Sequence, residues 1–81
     1  MARVRLEFTV EPFADAAPGP HVRAAVAAVE AAGLPTDFGP FSTEATGELA
    51  TVAGAVAGLL EAAFAAGASR VTLHVEQERR A

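Results

Sequence analysis

The chain has 81 residues, 52% of them apolar, and a net charge of −4 from ten acidic residues against six arginines, with no lysine and no cysteine. That length admits one domain, residues 1–81, with a modest core. The missing cysteines exclude disulfides, thiolate nucleophiles and cysteine-based zinc or copper sites, and an acidic chain without a basic stripe is not built to hold nucleic acid. No segment reads as a leader, and no apolar run approaches the ~20 residues that span a bilayer, so the cytoplasm is the expected location and a membrane is not an expected partner.

The first element is Arg3 to Glu11, where Val4, Leu6, Phe8 and Val10 alternate with Arg3, Arg5, Glu7, Thr9 and Glu11. This period of two predicts a strand with one face on a core. Pro12 ends it, and Phe13 to Gly19 reads as a loop. Pro20 suits the first turn of a helix over His21–Ala32, with Val22, Val26 and Val29 on one stripe and Ala25 beside it. Gly33 is the expected C-terminal cap.

Leu34 to Phe38 predicts a short second strand whose proline favours an edge. Gly39-Pro40 breaks it, and Phe41 to Thr46 resumes extended structure. Gly47 and Glu48 are expected to open a second helix, with the carboxylate favoured by the helix dipole. Its apolar stripe is Leu49, Val52, Val56, Leu59, Leu60, Ala63 and Phe64, and Gly67 is its stop. Arg70 to Glu76 alternates again, placing Val71, Leu73 and Val75 inward, before a charged tail ending in Arg79 and Arg80.

The order strand, helix, strand, strand, helix, strand is that of a ferredoxin-like α+β fold, βαββαβ, with both helices on one face of a four-stranded antiparallel sheet. Right-handed crossovers put the first and third strands in the centre. Arg5, Glu7, Thr9, Arg70, Thr72, His74 and Glu76 are then expected on the face turned away from the helices. The helices carry few outward charges, and Gly54 and Gly58 within the second ask for a reason, either close helix approach in an oligomer or drift of composition.

Such a fold hosts many functions. A copper carrier needs paired cysteines, and an RNA-recognition sheet needs exposed aromatics on its central strands, where this chain has Arg5, Glu7 and Thr9. An acylphosphatase-like hydrolase would want an anion-cradling loop and an asparagine, yet the chain has no asparagine and its first loop is acidic.

Four pieces in order resemble a known family. They are Glu7-Phe8-Thr9-Val10-Glu11-Pro12, Ala31-Ala32-Gly33-Leu34, Phe38-Gly39-Pro40-Phe41-Ser42-Thr43-Glu44 and Gly67-Ala68-Ser69-Arg70-Val71. Together they are similar to the small thiamine-binding proteins of ferredoxin-like fold, whose central segment runs Gly-Pro, an apolar residue, a small residue, Thr and soon Glu-Gly. Here Glu44 precedes Gly47 by three residues. The resemblance implies a non-catalytic protein that binds thiamine or its hydroxymethylpyrimidine part, assembled as a homodimer or homotetramer through its sheet. No separate cofactor is implied.

The residues suit that chemistry. Phe41 and Phe13 offer rings to stack on an aminopyrimidine, Thr9 and Thr43 offer hydroxyls for its edge, and Glu44 or Asp37 can offset a thiazolium charge. Gly39, Pro40 and Ser42 complete the central stretch expected to form the site. Each has a structural reading too: Phe38 and Phe41 as packing residues, and Thr9 and Thr43 as good strand residues. Glu7 with Arg5 and Arg70 reads as exposed ion pairs of small worth. His21 reads as solvated, and His74 as no metal ligand unless a second ligand lies within reach. No pair of residues at catalytic spacing argues for turnover. The alternatives are a regulatory or oligomerisation module that binds another metabolite, and an acylphosphatase-like hydrolase dependent on Arg23 or Arg5.

Overall fold

The computed structural model describes residues 2–12, 19–39 and 42–78. The elements are β1 (Arg3–Glu11), α1 (Pro20–Ala31), β2 (Thr36–Phe38), β3 (Thr43–Glu48), α2 (Leu49–Ala65) and β4 (Arg70–Gln77). The sheet order is β2-β3-β1-β4, and every neighbouring pair is antiparallel. This is the expected ferredoxin-like arrangement, with β1 and β3 in the centre.

The alternation of β1 is realised residue by residue: Val4, Leu6, Phe8 and Val10 are buried. The same core holds Ala25 and Val29 of α1, Val52, Ala55, Leu59 and Ala63 of α2, Leu34, and Ala45 of β3, which pairs with Leu6 in the sheet. Leu6 and Leu59 are completely covered. Because so many of these positions are alanine, the few large side chains carry most of the burial energy.

Both helices end as the glycines require. Gly33 and Gly67 have φ of 92° and 106°, and each is followed by the six-to-one bond of a Schellman turn, Leu34 N to Val29 O and Ala68 N to Ala63 O. The start of α2 differs from the expectation. Gly47 and Glu48 belong to β3, and no acidic residue stands in the first turn of α2, with Glu48 one position earlier at the N-cap. The reason is packing: Gly47 pairs with Val4, and a Cβ on it would lie 2.5 Å from Leu34 Cδ2. Its missing side chain makes room for a buried leucine, not for a helix start.

Four further expectations change. The second strand is shorter, since Pro35 offers no ladder donor and pairing begins at Thr36. The third runs on to Glu48, because β1 continues to pair with it as far as Arg3. On α2 the buried stripe is Val52, Ala55, Leu59 and Ala63, leaving Leu49 and Phe64 half exposed. Ala55 is buried in place of the larger Leu49 and Phe64. Gly58 faces α1, where a Cβ would stand 4.0 Å from that of Ala28, an ordinary contact, so its neighbour is a helix of the same chain and the space would admit an alanine.

His21 is buried, not solvated. Its Nε2 bonds the Pro12 carbonyl, and since a carbonyl only accepts, Nε2 carries the proton. A Cβ on Gly19 would lie 2.6 Å from its ring, so this histidine ties the end of β1 to the start of α1. Among the described residues no helix is long and apolar enough to cross a membrane.

Candidate functional site

The face of the sheet opposite the helices is built by β-strand alternation alone. On β1 the residues between the core positions are Arg3, Arg5, Glu7, Thr9 and Glu11, as expected, and Arg70, Thr72, His74 and Glu76 join them from β4. On β3 the same rule turns Glu44, Thr46 and Glu48 to this face and Thr43, Ala45 and Gly47 to the core.

Register then assembles a row that spans all four strands. Asp37 of β2 pairs with Glu44 of β3, Glu44 with Glu7 of β1, and Glu7 with His74 of β4. At ~4.8 Å between strands the row is roughly 15 Å long. Three carboxylates stand directly beside one another in it. Like charges opposite each other in a sheet are destabilising, so this row favours any cation that lies across it.

The flanking rows differ. On one side Arg5 stands between Thr46 and Glu76, and its guanidinium bonds the Glu76 carboxylate. That bond, with the Glu76 charge and then the more distant Glu7 and Glu44, holds the Arg5 guanidinium above its ordinary range. Arg3 reaches Glu78 at 3.3 Å beyond it. On the other side Thr9 pairs with Thr72. Ser42 adjoins Thr43, the partner of Phe8, so a third hydroxyl sits at this same end of the sheet. The acidic row therefore has an arginine edge and a hydroxyl edge.

β2 and β3 are antiparallel neighbours in the central stretch, paired from Thr36 with Ala45 to Phe38 with Thr43. Gly39 N donates to Ser42 O at 2.9 Å beyond that last pair. Of the site residues expected from sequence, Thr9, Asp37 and Glu44 share the open face, with Gly39 and Ser42 at its rim. Thr43 is on the opposite face, 3% exposed, beside Phe8 in the core row. Thr9 and Thr43 are thus separated by the sheet itself. Phe13, Pro40 and Phe41 lie outside the described residues.

Glu7 and His74 were not among the expected site residues. Alternation alone put both on the open face, but the pairing of Glu7 with His74 and Glu44 needs the strand register. Only the pair of Asp37 with Glu44 in that row has a local signal, the short connection between β2 and β3; the pairings of Glu7 with Glu44 and His74 join strands distant in sequence.

A ferredoxin-like sheet with one face packed on two helices and the other carrying a polar row defines a small α+β domain with a presented surface. The chain belongs to the thiamine-binding protein family, whose model matches residues 6–81. Among solved structures, a domain of unknown function from Bacillus cereus is 26% identical, with a TM-score of 0.70, covering 98% of this chain and 77% of that one. A Thermotoga maritima protein provisionally assigned to thiamine biosynthesis or salvage has the same fold at TM-score 0.70 and 20% identity, covering 96% and 84%. A hypothetical protein from Methanocaldococcus jannascii shares it at 0.65 and 19%, covering 100% and 84%. No curated protein matches the chain.

Proposed function

We propose that this protein binds thiamine or its hydroxymethylpyrimidine part without turning it over, as a carrier or sensor in the cytoplasm. The observation that carries the reading, beside membership of the family, is the row Asp37, Glu44 and Glu7 on the open face. A thiazolium is a flat cation, and three adjacent carboxylates are a place where such a charge lowers the energy of the sheet itself. The hydroxyls of Thr9 and Ser42 at the edge of that row suit the donors and acceptors of an aminopyrimidine. An analogue lacking those groups would leave them unpaired, which is how such a site discriminates.

In this reading Thr9, Asp37, Ser42 and Glu44 meet the ligand from the open face, and Gly39 lets the backbone approach it. Pro40, Phe41 and Phe13 are proposed as the apolar wall on the strength of their sequence positions. Thr43 acts from below, by fixing β3 against Phe8.

The reading includes a homodimer or homotetramer. Leu49, Phe64 and Val75 are 50%, 51% and 45% exposed. Leu49, Val56, Leu60 and Phe64 recur at helical spacing on the flank of α2 turned from α1, and β4 is an edge strand. A second copy covering this flank would remove both the apolar surface and the open edge.

Calorimetric titration with thiamine, hydroxymethylpyrimidine and thiamine diphosphate tests the proposal. Saturable heat with one of them, reduced about tenfold in affinity by Glu44→Gln, is the expected result, a loss of ~1.4 kcal/mol. No heat with any of the three contradicts it. A melting temperature raised instead by amino acids or other anions would favour the regulatory module.

A further inference from the structure

The β4 end of the acidic row holds a second chemistry. Glu7, His74 and Glu76 place one ligand atom each within 4.8 Å of one another, with His74 Nε2 and Glu76 Oε1 at 4.0 Å. The geometry points to a divalent transition-metal site at Glu7, His74 and Glu76, of the zinc, cobalt or nickel class. It does not depend on whether thiamine binds.

The three residues come together for a reason of topology. Glu7 and His74 are cross-strand partners, and Glu76 follows His74 by two residues, so β-strand alternation returns it to the same face. An imidazole with two carboxylates is a donor set for borderline divalent ions, and leaves coordination positions for water. Calcium and magnesium prefer all-oxygen shells, which sets the nitrogen of His74 against them.

Distance and charge both allow the site. Two ligands of one such ion, each at ~2.1 Å, stand at most about 4.2 Å apart. His74 and Glu76 already meet that limit, and a spread of 4.8 Å closes by a small turn of side chains that are exposed or half-buried. The surrounding groups are Glu44 beside Glu7, Arg5 bonded to Glu76, and Thr72 and Arg70 further along β4. Glu44 adds negative charge. Arg5 holds Glu76 Oε1, the same oxygen that stands 4.0 Å from His74 Nε2, and opposes the metal, so the ion must displace Arg5 from that oxygen or turn the carboxylate to present the other one. Among the described residues no element packs over this face, so water and ions reach it freely.

The test uses the full-length untagged protein, stripped with a chelator, and zinc chloride or cobalt chloride alone. Saturable one-to-one zinc binding is expected, weakened roughly tenfold or more by His74→Ala and by Glu7→Gln, and unchanged by Glu61→Gln on the exposed side of α2. Cobalt should develop a visible absorption that His74→Ala removes. Arg5→Ala, which frees Glu76, should tighten binding. Because metal competes with protons for the imidazole and carboxylates, affinity should fall as the pH is lowered. Absence of saturable binding, or binding that His74→Ala and Glu7→Gln leave unchanged, would overturn the site. Circular dichroism of each variant separates lost metal from lost fold.

Discussion

The two faces of this sheet are written by the same alternation and differ in nearly everything else. The helix face carries Val4, Leu6, Phe8 and Val10 and is sealed by two helices, whereas the open face carries Arg5, Glu7, Thr9, Glu44 and His74 and is sealed by nothing among the described residues. One face holds the fold together. The other places three like charges side by side, an arrangement that costs stability and that a bound cation relieves. Residues that work against the fold are where function is sought.

The largest effects should come from the covered face. Leu59→Ala removes a fully buried side chain from a core otherwise rich in alanine and should cost ~2–5 kcal/mol in urea unfolding. In so small a domain that is a large part of the total stability. Gly47→Ala drives a methyl to within 2.5 Å of Leu34 Cδ2 and should cost about 1–3 kcal/mol, read as a lower melting temperature.

Gly54→Ala should act in the opposite direction. A Cβ there meets nothing within 4 Å, so the substitution should add about 0.4–1 kcal/mol of stability by restricting the unfolded chain. On the open face, Glu44→Gln should leave stability within ~0.5 kcal/mol, on the favourable side because it relieves the like charges of Glu7 and Asp37. A cost as large as that of Gly47→Ala would show that Glu44 is structural.

The Arg5 pair supplies a further check of small size. Its guanidinium is held above an already high range, chiefly by its bond to Glu76. A group whose folded pKa is raised gives its full contribution below the unfolded value and loses it only as pH rises through the raised one. The Arg5 contribution is therefore constant from neutral to moderately alkaline pH, and salt rather than alkali should weaken it.

How much was legible in the sequence follows from the same contrast. Alternation in β1 and β4, the capping glycines Gly33 and Gly67, and the element order were readable because each is a local pattern of period or conformation. Gly47 was misread because its role depends on Leu34, thirteen residues away and against it only after folding. His21 was misread for a similar reason, since its partner is the carbonyl of Pro12 across a loop. On α2 a helical stripe could be counted, but not which part of it the sheet would cover. The open-face row was the least legible, because register joins Asp37, Glu44, Glu7 and His74 from four separate strands.

The most direct test of the central claim, that the open face is the ligand surface, is an amide chemical-shift titration of the labelled protein with thiamine. Shifts confined to Glu7, Thr9, Asp37, Glu44 and their neighbours on β1, β2 and β3, with the amides of Val29, Val52 and Leu59 unmoved, are the expected result. Saturable shifts on the helix side with the open face silent would contradict it.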